Sequence, residues 1–208
     1  MFVKICGLRT SATLNAAVQA GADAVGFVFA PGSPRTVDAA TVRQLVTSVP
    51  GGIQTVGVFR RQPLDEVIAT AHLAGVNTVQ LHGSEPLDDF DRLRAEGFGT
   101  IRALSIDEYV HEARTAPEGL LAHRLLIDAP IPGAGEPFDS TALRTHPPQG
   151  DWLLAGGLTP DNVADLIRAT SPEGVDVSSG VESTRGQKDV SLIRAFLAAA
   201  HSAITPMV

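Results

Sequence analysis

Residues 2–29 read FVKICGLRTSATLNAAVQAGADAVGFVF and contain two apolar runs separated by a segment with helical periodicity. The runs Phe2–Cys6 and Ala24–Phe29 are short and rich in β-branched and aromatic side chains, as is typical of buried strands. Between them, Leu14 and Val18 recur at the spacing of one helix face. The stretch predicts two parallel strands joined by a crossover helix.

The same unit recurs along the chain. The runs of strand type begin about 22 to 30 residues apart, and most are separated by segments of helical periodicity. The remaining predicted strands are Gln54–Phe59, Val76–Leu81, Thr100–Leu104, Arg124–Asp128, Trp152–Ala155 and Gly174–Ser178. Eight such units either close into a barrel or form a doubly wound sheet, and the number eight favours the barrel. We therefore predict one α/β domain, a (β/α)8 TIM barrel over residues 1–208.

Helix-start signals support this register. Ser11 opens the first helix, Ser84 with Pro86 opens the fourth, and Thr159 followed by Pro160 resembles an N-cap with proline at the first helical position. The helical pattern is weakest in the fifth and sixth units.

Composition limits the function classes that are open to the chain. Charged residues make up 19% of the sequence and the net charge is -7. No apolar run approaches the roughly 18 residues of a membrane span, and no basic stripe marks a nucleic-acid surface. The chain begins without a secretory signal pattern. We expect a cytoplasmic protein without membrane or nucleic-acid partners, a monomer or a homodimer, that binds small molecules.

Cys6 is the only cysteine, so an internal disulfide is excluded, and no Cys/His cluster has the spacing of zinc ligands. A free thiol at a strand terminus is a candidate nucleophile or proton acceptor. Most free cysteines are instead small buried hydrophobes, and nothing in the neighbouring residues excludes that role.

Polar residues share faces of otherwise apolar strands. Such groups are costly inside a barrel unless they are paired or line a site, and the carboxyl ends of the strands are where barrel enzymes place their chemistry. The pairs that share a face are Lys4 with Cys6, Gln80 with His82, and Asp176 with Ser178.

Two loops with small residues follow the seventh and eighth strands. One contains Gly156 and Gly157, and the other contains Ser178, Ser179 and Gly180. Glycine lets the backbone approach an oxyanion, and loops 7 and 8 of a barrel frequently bind phosphate. Either loop alone could be a tight turn, but the two together indicate a phosphate site.

With these features in place, the chain closely resembles the phosphoribosylanthranilate isomerase family of tryptophan biosynthesis. The resemblance spans nearly the whole length, and the order and spacing of its motifs make it specific. Its carriers are Lys4-Ile5-Cys6-Gly7, Gly21-Ala22-Asp23, Gly26-Phe27-Val28-Phe29, Ser33-Pro34-Arg35, Val79-Gln80-Leu81-His82-Gly83, Ile127-Asp128, Ala155-Gly156-Gly157-Leu158 and Gly174-Val175-Asp176-Val177-Ser178-Ser179-Gly180-Val181-Glu182.

The resemblance implies an Amadori rearrangement of N-(5′-phosphoribosyl)anthranilate to 1-(2-carboxyphenylamino)-1-deoxyribulose 5-phosphate, with no metal or organic cofactor. It makes Cys6 the general base and Asp128 the general acid, and it places Arg35 against the anthranilate. The phosphate loops of the family match Gly156, Gly157, Ser178, Ser179 and Gly180.

The implied roles require shifted ionisation. A carboxyl with a pKa near 3.9 is only about 0.1% protonated at pH 7, so Asp128 needs burial to raise its pKa. The ammonium of Lys4 would favour the thiolate of Cys6, and Lys4 could also pair with a carboxylate such as Asp176. Without the resemblance, the local sequence would indicate that Asp128 is a turn residue and that Arg35 is a solvated loop residue.

His82 is expected to be a structural histidine whose hydrogen bonds are satisfied, and it is left out of the catalytic set. The departures from the family lie mainly after the sixth strand, where residues 132–140 lack one glycine, one hydroxyl and one aromatic residue of the usual pattern. After the third strand, Arg60-Arg61 replaces the usual Val-Asn.

Two rival functions remain at this point. The related barrel isomerase of histidine biosynthesis has an aspartate at the end of its first strand and a second phosphate loop, neither of which is present here. A phosphosugar-binding barrel without catalysis would have no need of both Cys6 and Asp128.

Overall fold

Eight parallel strands form a closed barrel in the computed structural model, which describes residues 1–129 and 141–203. The strands are β1 (Phe2–Cys6), β2 (Ala24–Val28), β3 (Gln54–Phe59), β4 (Thr78–Leu81), β5 (Gly99–Ser105), β6 (Arg124–Asp128), β7 (Trp152–Leu154) and β8 (Gly174–Val177). Each strand pairs with its successor, and β8 pairs with β1 to close the barrel. The predicted TIM-barrel fold is confirmed, with strand ends within two residues of the predicted ones.

Helices follow the strands and surround the barrel. They are α1 (Ser11–Gln19), α2 (Ala39–Val46), α3 (Leu64–Ala74), α4 (Leu87–Ala95), α5 (Ile106–Thr115), α6 (Thr141–Thr145), α7 (Val163–Thr170) and α8 (Val190–Ser202). The fifth helix, weak in the sequence pattern, begins with a capping box in which Ser105 and Glu108 satisfy each other's backbone N–H groups. Among the described residues, no helix is long and apolar enough to cross a membrane.

The core has two layers because strand side chains alternate between the inside and the outside of the barrel. Val3 and Ile5 of β1 belong to the large outer cluster, which packs against the helices. Cys6 belongs to a smaller cluster that fills the barrel interior together with Val56, Leu126 and other strand residues. The shared faces predicted for the strands place the polar residues of β1, β4 and β8 inside this barrel.

The helix-start predictions for α1 and α4 are displaced. The residue that caps α1 is Thr10, whose side chain accepts from the N–H of Thr13, while Ser11 is already helical. Ser84 does not cap α4, which begins three residues later; its backbone has a φ of 61° and its hydroxyl donates to Glu108. The short loop before α4 therefore has its own structure instead of a simple cap.

An antiparallel hairpin in loop 8 has no counterpart in the predicted elements. It consists of β9 (Glu182–Thr184) and β10 (Gln187–Lys188), and it follows a 3-10 turn over Ser179–Val181. The hairpin places the charged side chains of Glu182 and Lys188 next to the loop that follows β2, where Glu182 pairs with Arg35.

Candidate active site

A cavity of about 280 Å³ opens at the carboxyl ends of the barrel strands. Of the residues predicted for the site, Cys6, Arg35, Asp128 and Ser178 line it, together with Gln80, His82 and Asp176. Gly156, Gly157, Ser179 and Gly180 are not among its lining residues. The unusual residues 132–140 lie outside the described part of the chain.

Asp128 ends β6 and is almost completely buried, with 7% of the residue exposed. Its Oδ1 accepts a hydrogen bond of 2.8 Å from the N–H of Ala129. Burial, reinforced by the negative charge of Asp176, raises the pKa of Asp128 from 3.8 to about 7, although Lys4 opposes the shift. A substantial fraction of this carboxyl group is therefore protonated at neutral pH, as a general acid requires.

Cys6 ends β1 and faces the same cavity. Its thiol is buried, and burial raises its pKa even though the nearby ammonium groups of Lys4 and Lys188 lower it. The net shift is opposite to the one expected from Lys4 alone, because the cost of burying a thiolate exceeds the attraction. In the free protein the thiol form is favoured.

Lys4 lies below Cys6 on the same face of β1 and is completely buried. Its Nζ donates a 2.8 Å hydrogen bond to Oδ1 of Asp176, the partner named as one alternative from the sequence. Burial alone lowers the pKa of Lys4, but Asp176 and Cys6 outweigh it and raise the pKa. Lys4 is thus an ammonium fixed between a carboxylate and the thiol.

Arg35 is buried in the wall of the cavity, so it is not a solvated loop residue. Its guanidinium donates two hydrogen bonds to Glu182, of 2.6 Å from Nε and 2.9 Å from Nη2. Lys188 donates to Glu182 at 2.6 Å and to the carbonyl oxygen of Ser178 at 2.9 Å. Loop 2 and the hairpin of loop 8 are joined through these ion pairs.

Glu182 and Lys188 are functional candidates that sequence reasoning missed as site residues. Burial disfavours the charged form of Glu182, but hydrogen bonds from Arg35 and Lys188 prevail and lower its pKa to about 2. The available signal was Glu182 itself, which closes the last family motif in the sequence. Its role becomes visible only when residues 147 positions apart are brought together.

Replacing Glu182 by glutamine is expected to destabilise the protein by about 3 kcal/mol, because Arg35 and Lys188 would keep buried charges without their carboxylate. Chemical unfolding at pH 7 measures the loss. The matched control is Asp65→Asn, which breaks the exposed ion pair with Arg92 and should cost less than about 1 kcal/mol. Equal, small losses in both variants would contradict a buried charge cluster.

Loops 7 and 8 meet at two glycines. A Cβ atom on Gly180 would overlap the carbonyl oxygen of Leu158 in loop 7. Gly156 has a φ of 88°, and a Cβ atom there would overlap the backbone of Ala129 and lie 2.8 Å from Oδ1 of Asp128. These positions require glycine because of close packing between loops as well as local backbone conformation.

Backbone donors remain available where the two loops meet. The N–H groups of Gly157, Ser179 and Gly180 have no hydrogen-bond acceptor among residues 1–129 and 141–203. The N–H of Thr159 is different, because it donates to the side chain of Asn162, and α7 begins at Val163. The predicted helix start at Thr159 is therefore wrong, and glycine-loop donors, not a helix N-terminus there, are free to hold an anion.

His82 is not the satisfied structural histidine expected from the sequence. Its Nδ1 lies 3.3 Å from the amide nitrogen of Gln80, while its Nε2 has no hydrogen-bond partner among the described residues. Nε2 faces Oδ2 of Asp128 at 3.6 Å. Burial lowers the pKa of His82 to about 4, so the imidazole is neutral at pH 7.

Comparisons with known proteins agree with this geometry. The sequence model of the family described as N-(5′-phosphoribosyl)anthranilate (PRA) isomerase matches residues 3–199. The N-(5′-phosphoribosyl)anthranilate isomerase of Deinococcus radiodurans is 42% identical over 198 residues, which are 94% of this chain and 94% of the relative. TrpF from Jonesia denitrificans, a solved structure, is 43% identical, with a TM-score of 0.85 over 100% of both chains.

A second solved structure is a phosphoribosyl anthranilate isomerase in complex with reduced 1-(o-carboxyphenylamino)-1-deoxyribulose 5-phosphate. It is 31% identical, has a TM-score of 0.85, and matches over 97% of this chain and 99% of that protein. The fold, the sequence and the position of the cavity thus all agree with membership of one family. The chain belongs to the N-(5′-phosphoribosyl)anthranilate isomerase family.

Proposed function

We propose that the chain isomerises N-(5′-phosphoribosyl)anthranilate to 1-(2-carboxyphenylamino)-1-deoxyribulose 5-phosphate by acid and base catalysis, with Asp128 as the acid and Cys6 as the base. The observation that carries the assignment is that both residues end strands of one barrel and face one cavity. Membership of the isomerase family supplies the reaction class. This reaction is a step of tryptophan biosynthesis. We expect the chain to carry it out in the cytoplasm.

The reaction needs two proton transfers to reach an enolamine. Asp128 gives its proton to the ring oxygen of the ribose while the bond from that oxygen to C1′ breaks, and the anilino nitrogen shares the resulting positive charge as an iminium. The thiolate of Cys6 then removes the proton from C2′, which gives a neutral enolamine. Tautomerisation of the enolamine, in which C1′ gains a proton and the C2′ hydroxyl loses one, gives the C2′ ketone and completes the rearrangement. Neither step requires a metal or an organic cofactor.

Loops 7 and 8 supply a site for the substrate phosphate. In a chain with a net charge of -7, an anionic ligand depends on local donors. The unpaired backbone N–H groups of Gly157, Ser179 and Gly180 can provide them, with Gly156 and Ser178 flanking the same loops. Arg35 lines the same cavity from loop 2, where its guanidinium can face the anthranilate.

An anthranilate-fluorescence assay tests the proposed function. Phosphoribosylanthranilate is generated freshly, and loss of its fluorescence is followed in the presence and absence of the protein. Consumption well above the spontaneous rate, with formation of the deoxyribulose product, is expected. Binding of the product without any turnover would overturn the assignment and favour a non-catalytic phosphosugar-binding barrel.

Replacing Gly180 by alanine is expected to raise KM at least about tenfold while changing kcat much less. The new Cβ atom would overlap the carbonyl oxygen of Leu158, so loops 7 and 8 must move apart and their N–H groups diverge. Steady-state kinetics measure the effect. The matched control is Gly51→Ala, where a Cβ atom meets nothing within 4 Å. An unchanged KM in the Gly180→Ala variant would remove these loops from the phosphate site.

A further inference from the structure

Gln80 and His82 form a polar pair on the inner face of β4 and the loop that follows it, and we call them the Gln80–His82 pair. Gln80 is only 1% exposed and lines the active-site cavity. Its Nε2 lies 3.3 Å from Nδ1 of His82. Both residues are in a polar pocket of the barrel interior where unpaired groups are costly, so their arrangement requires an explanation.

The contact with Gln80 determines where the proton of His82 lies. An amide nitrogen can only donate a hydrogen bond, so Nδ1 of His82 must accept it and carry no proton. A neutral imidazole then carries its single proton on Nε2. This N–H group is the one that faces Oδ2 of Asp128 at 3.6 Å and lacks a partner among the described residues.

In the proposed mechanism Asp128 becomes a buried carboxylate once it has protonated the substrate, and a hydrogen-bond donor would stabilise that carboxylate. Its Oδ1 is held by the N–H of Ala129, whereas no described residue donates to Oδ2. The new carboxylate would be buried beside the charge of Asp176, which is itself bound to Lys4. A buried carboxylate is stabilised when donors satisfy both of its oxygens.

The charged and titratable groups around this pair are few. Lys4 and Cys6 face it from β1, and Asp176 faces it from β8. The guanidinium of Arg60 and the carboxylate of Glu85 act on His82 from the loops after β3 and β4, and the carboxylate of Glu108 acts on it from α5. Among these groups, His82 is the one whose unpaired N–H lies against Oδ2 of Asp128.

We propose that His82 is a positioning residue which, held by Gln80 as the Nε2–H tautomer, donates a hydrogen bond to Oδ2 of Asp128 as this acid loses its proton. The inference rests on the proposed role of Asp128 as the acid. In this arrangement His82 orients the acid and stabilises its conjugate base, and Gln80 fixes the tautomer of His82.

Nitrogen-15 NMR of the histidine side chains tests the tautomer without any assay of activity. In the free wild-type protein at pH 7, His82 should be neutral and carry its proton on Nε2. In Gln80→Met, which removes the amide at similar volume, the two tautomers should mix. A proton on Nδ1 in the wild type, or an unchanged tautomer in Gln80→Met, would overturn the assignment to the Gln80–His82 pair.

Two variants of His82 test the link to Asp128. His82→Leu removes the donor and should lower kcat about tenfold and raise the pKa of Asp128, followed by carbon-13 NMR of its carboxyl group, by about one unit. His82→Gln retains an N–H donor at the position of Nε2 and should recover most of both losses. If His82→Leu lowers kcat without moving this pKa, His82 does not act through Asp128.

The outcomes separate the two proposals. A wild-type protein that fails to consume phosphoribosylanthranilate but shows the Nε2–H tautomer would overturn the proposed function alone. An active enzyme with His82 protonated on Nδ1 would overturn only the role of the Gln80–His82 pair.

Discussion

Replacement of Asp128 by asparagine is expected to lower kcat at least about 100-fold and at the same time to stabilise the protein above pH 7. The loss of activity follows because an amide cannot give a proton to the ring oxygen. Oδ1 of the asparagine can still accept from the N–H of Ala129, so the local structure is retained. Binding of the reduced product should therefore survive.

The gain in stability follows from the shifted pKa. Burial raises the pKa of Asp128 from 3.8 to about 7, so the folded state binds this proton more tightly than the unfolded state. A raised carboxyl pKa costs nothing below the unfolded value, and the cost increases as the pH rises from about 4 to about 7. At about 1.36 kcal/mol per pKa unit, the full cost above pH 7 is about 4 kcal/mol.

Asparagine does not titrate, so the Asp128→Asn variant should be more stable than the wild type by about 2–4 kcal/mol at pH 8, and the gap should narrow towards pH 4. Urea unfolding at pH 8 and pH 5 measures this difference. Asp165→Asn, on an exposed helix face, is the control and should change stability by less than about 1 kcal/mol at both pH values. An Asp128→Asn variant less stable than wild type at pH 8 would show that burial does not hold this acid in its protonated form.

The sequence was sufficient for the parts of the fold that depend on local pattern. Alternation along each strand placed Lys4 and Cys6 on one face, and the structure confirms that both point into the barrel, where Lys4 meets Asp176. The count of strand and helix units favoured the barrel over a doubly wound sheet, because eight parallel strands are the number that closes a TIM barrel.

What the sequence could not provide are contacts between distant elements. The pairing of Arg35 with Glu182 depends on a short hairpin whose strands of three and two residues are too brief to show a period. Likewise, nothing in the residues around His82 indicates that its Nε2 lies opposite Asp128, because β4 and β6 are separated by β5 in the barrel. Helix α7 begins later than predicted because the side chain of Asn162 accepts a hydrogen bond from the N–H of Thr159 and donates one to the carbonyl oxygen of Gly157.

Replacement of Cys6 by alanine is likewise expected to lower kcat at least about 100-fold, since no other group would remove the proton at C2′. The adjacent strand packs closely against this thiol, since a Cβ atom on Gly26 would lie only 3.0 Å from the Sγ atom of Cys6. Cys6→Ser is the matched control for size, and it should be as inactive as Cys6→Ala because a hydroxyl, unlike a thiol, supplies almost no anion at neutral pH.

The thiol of Cys6 is mostly not ionised in the free protein, so its role as a base depends on the charged groups near it. Burial raises the pKa of Cys6 above its ordinary value of 9.0, while Asp128 titrates at about 7. The form with a thiolate and a protonated acid is therefore a minor form of the free enzyme at pH 7. In the proposed mechanism catalysis proceeds from this minor form, and Lys4 favours it because its ammonium lowers the pKa of Cys6.

Alkylation of the free enzyme by iodoacetamide measures this state directly. The rate at Cys6 should be low at pH 7 and rise about tenfold per pH unit towards pH 9, because only the thiolate reacts. Cys6→Ala should show no alkylation while it still binds the reduced product. Rapid alkylation at pH 7 would mean that the thiolate is already the major form, whereas full activity of Cys6→Ala would assign the base to another residue.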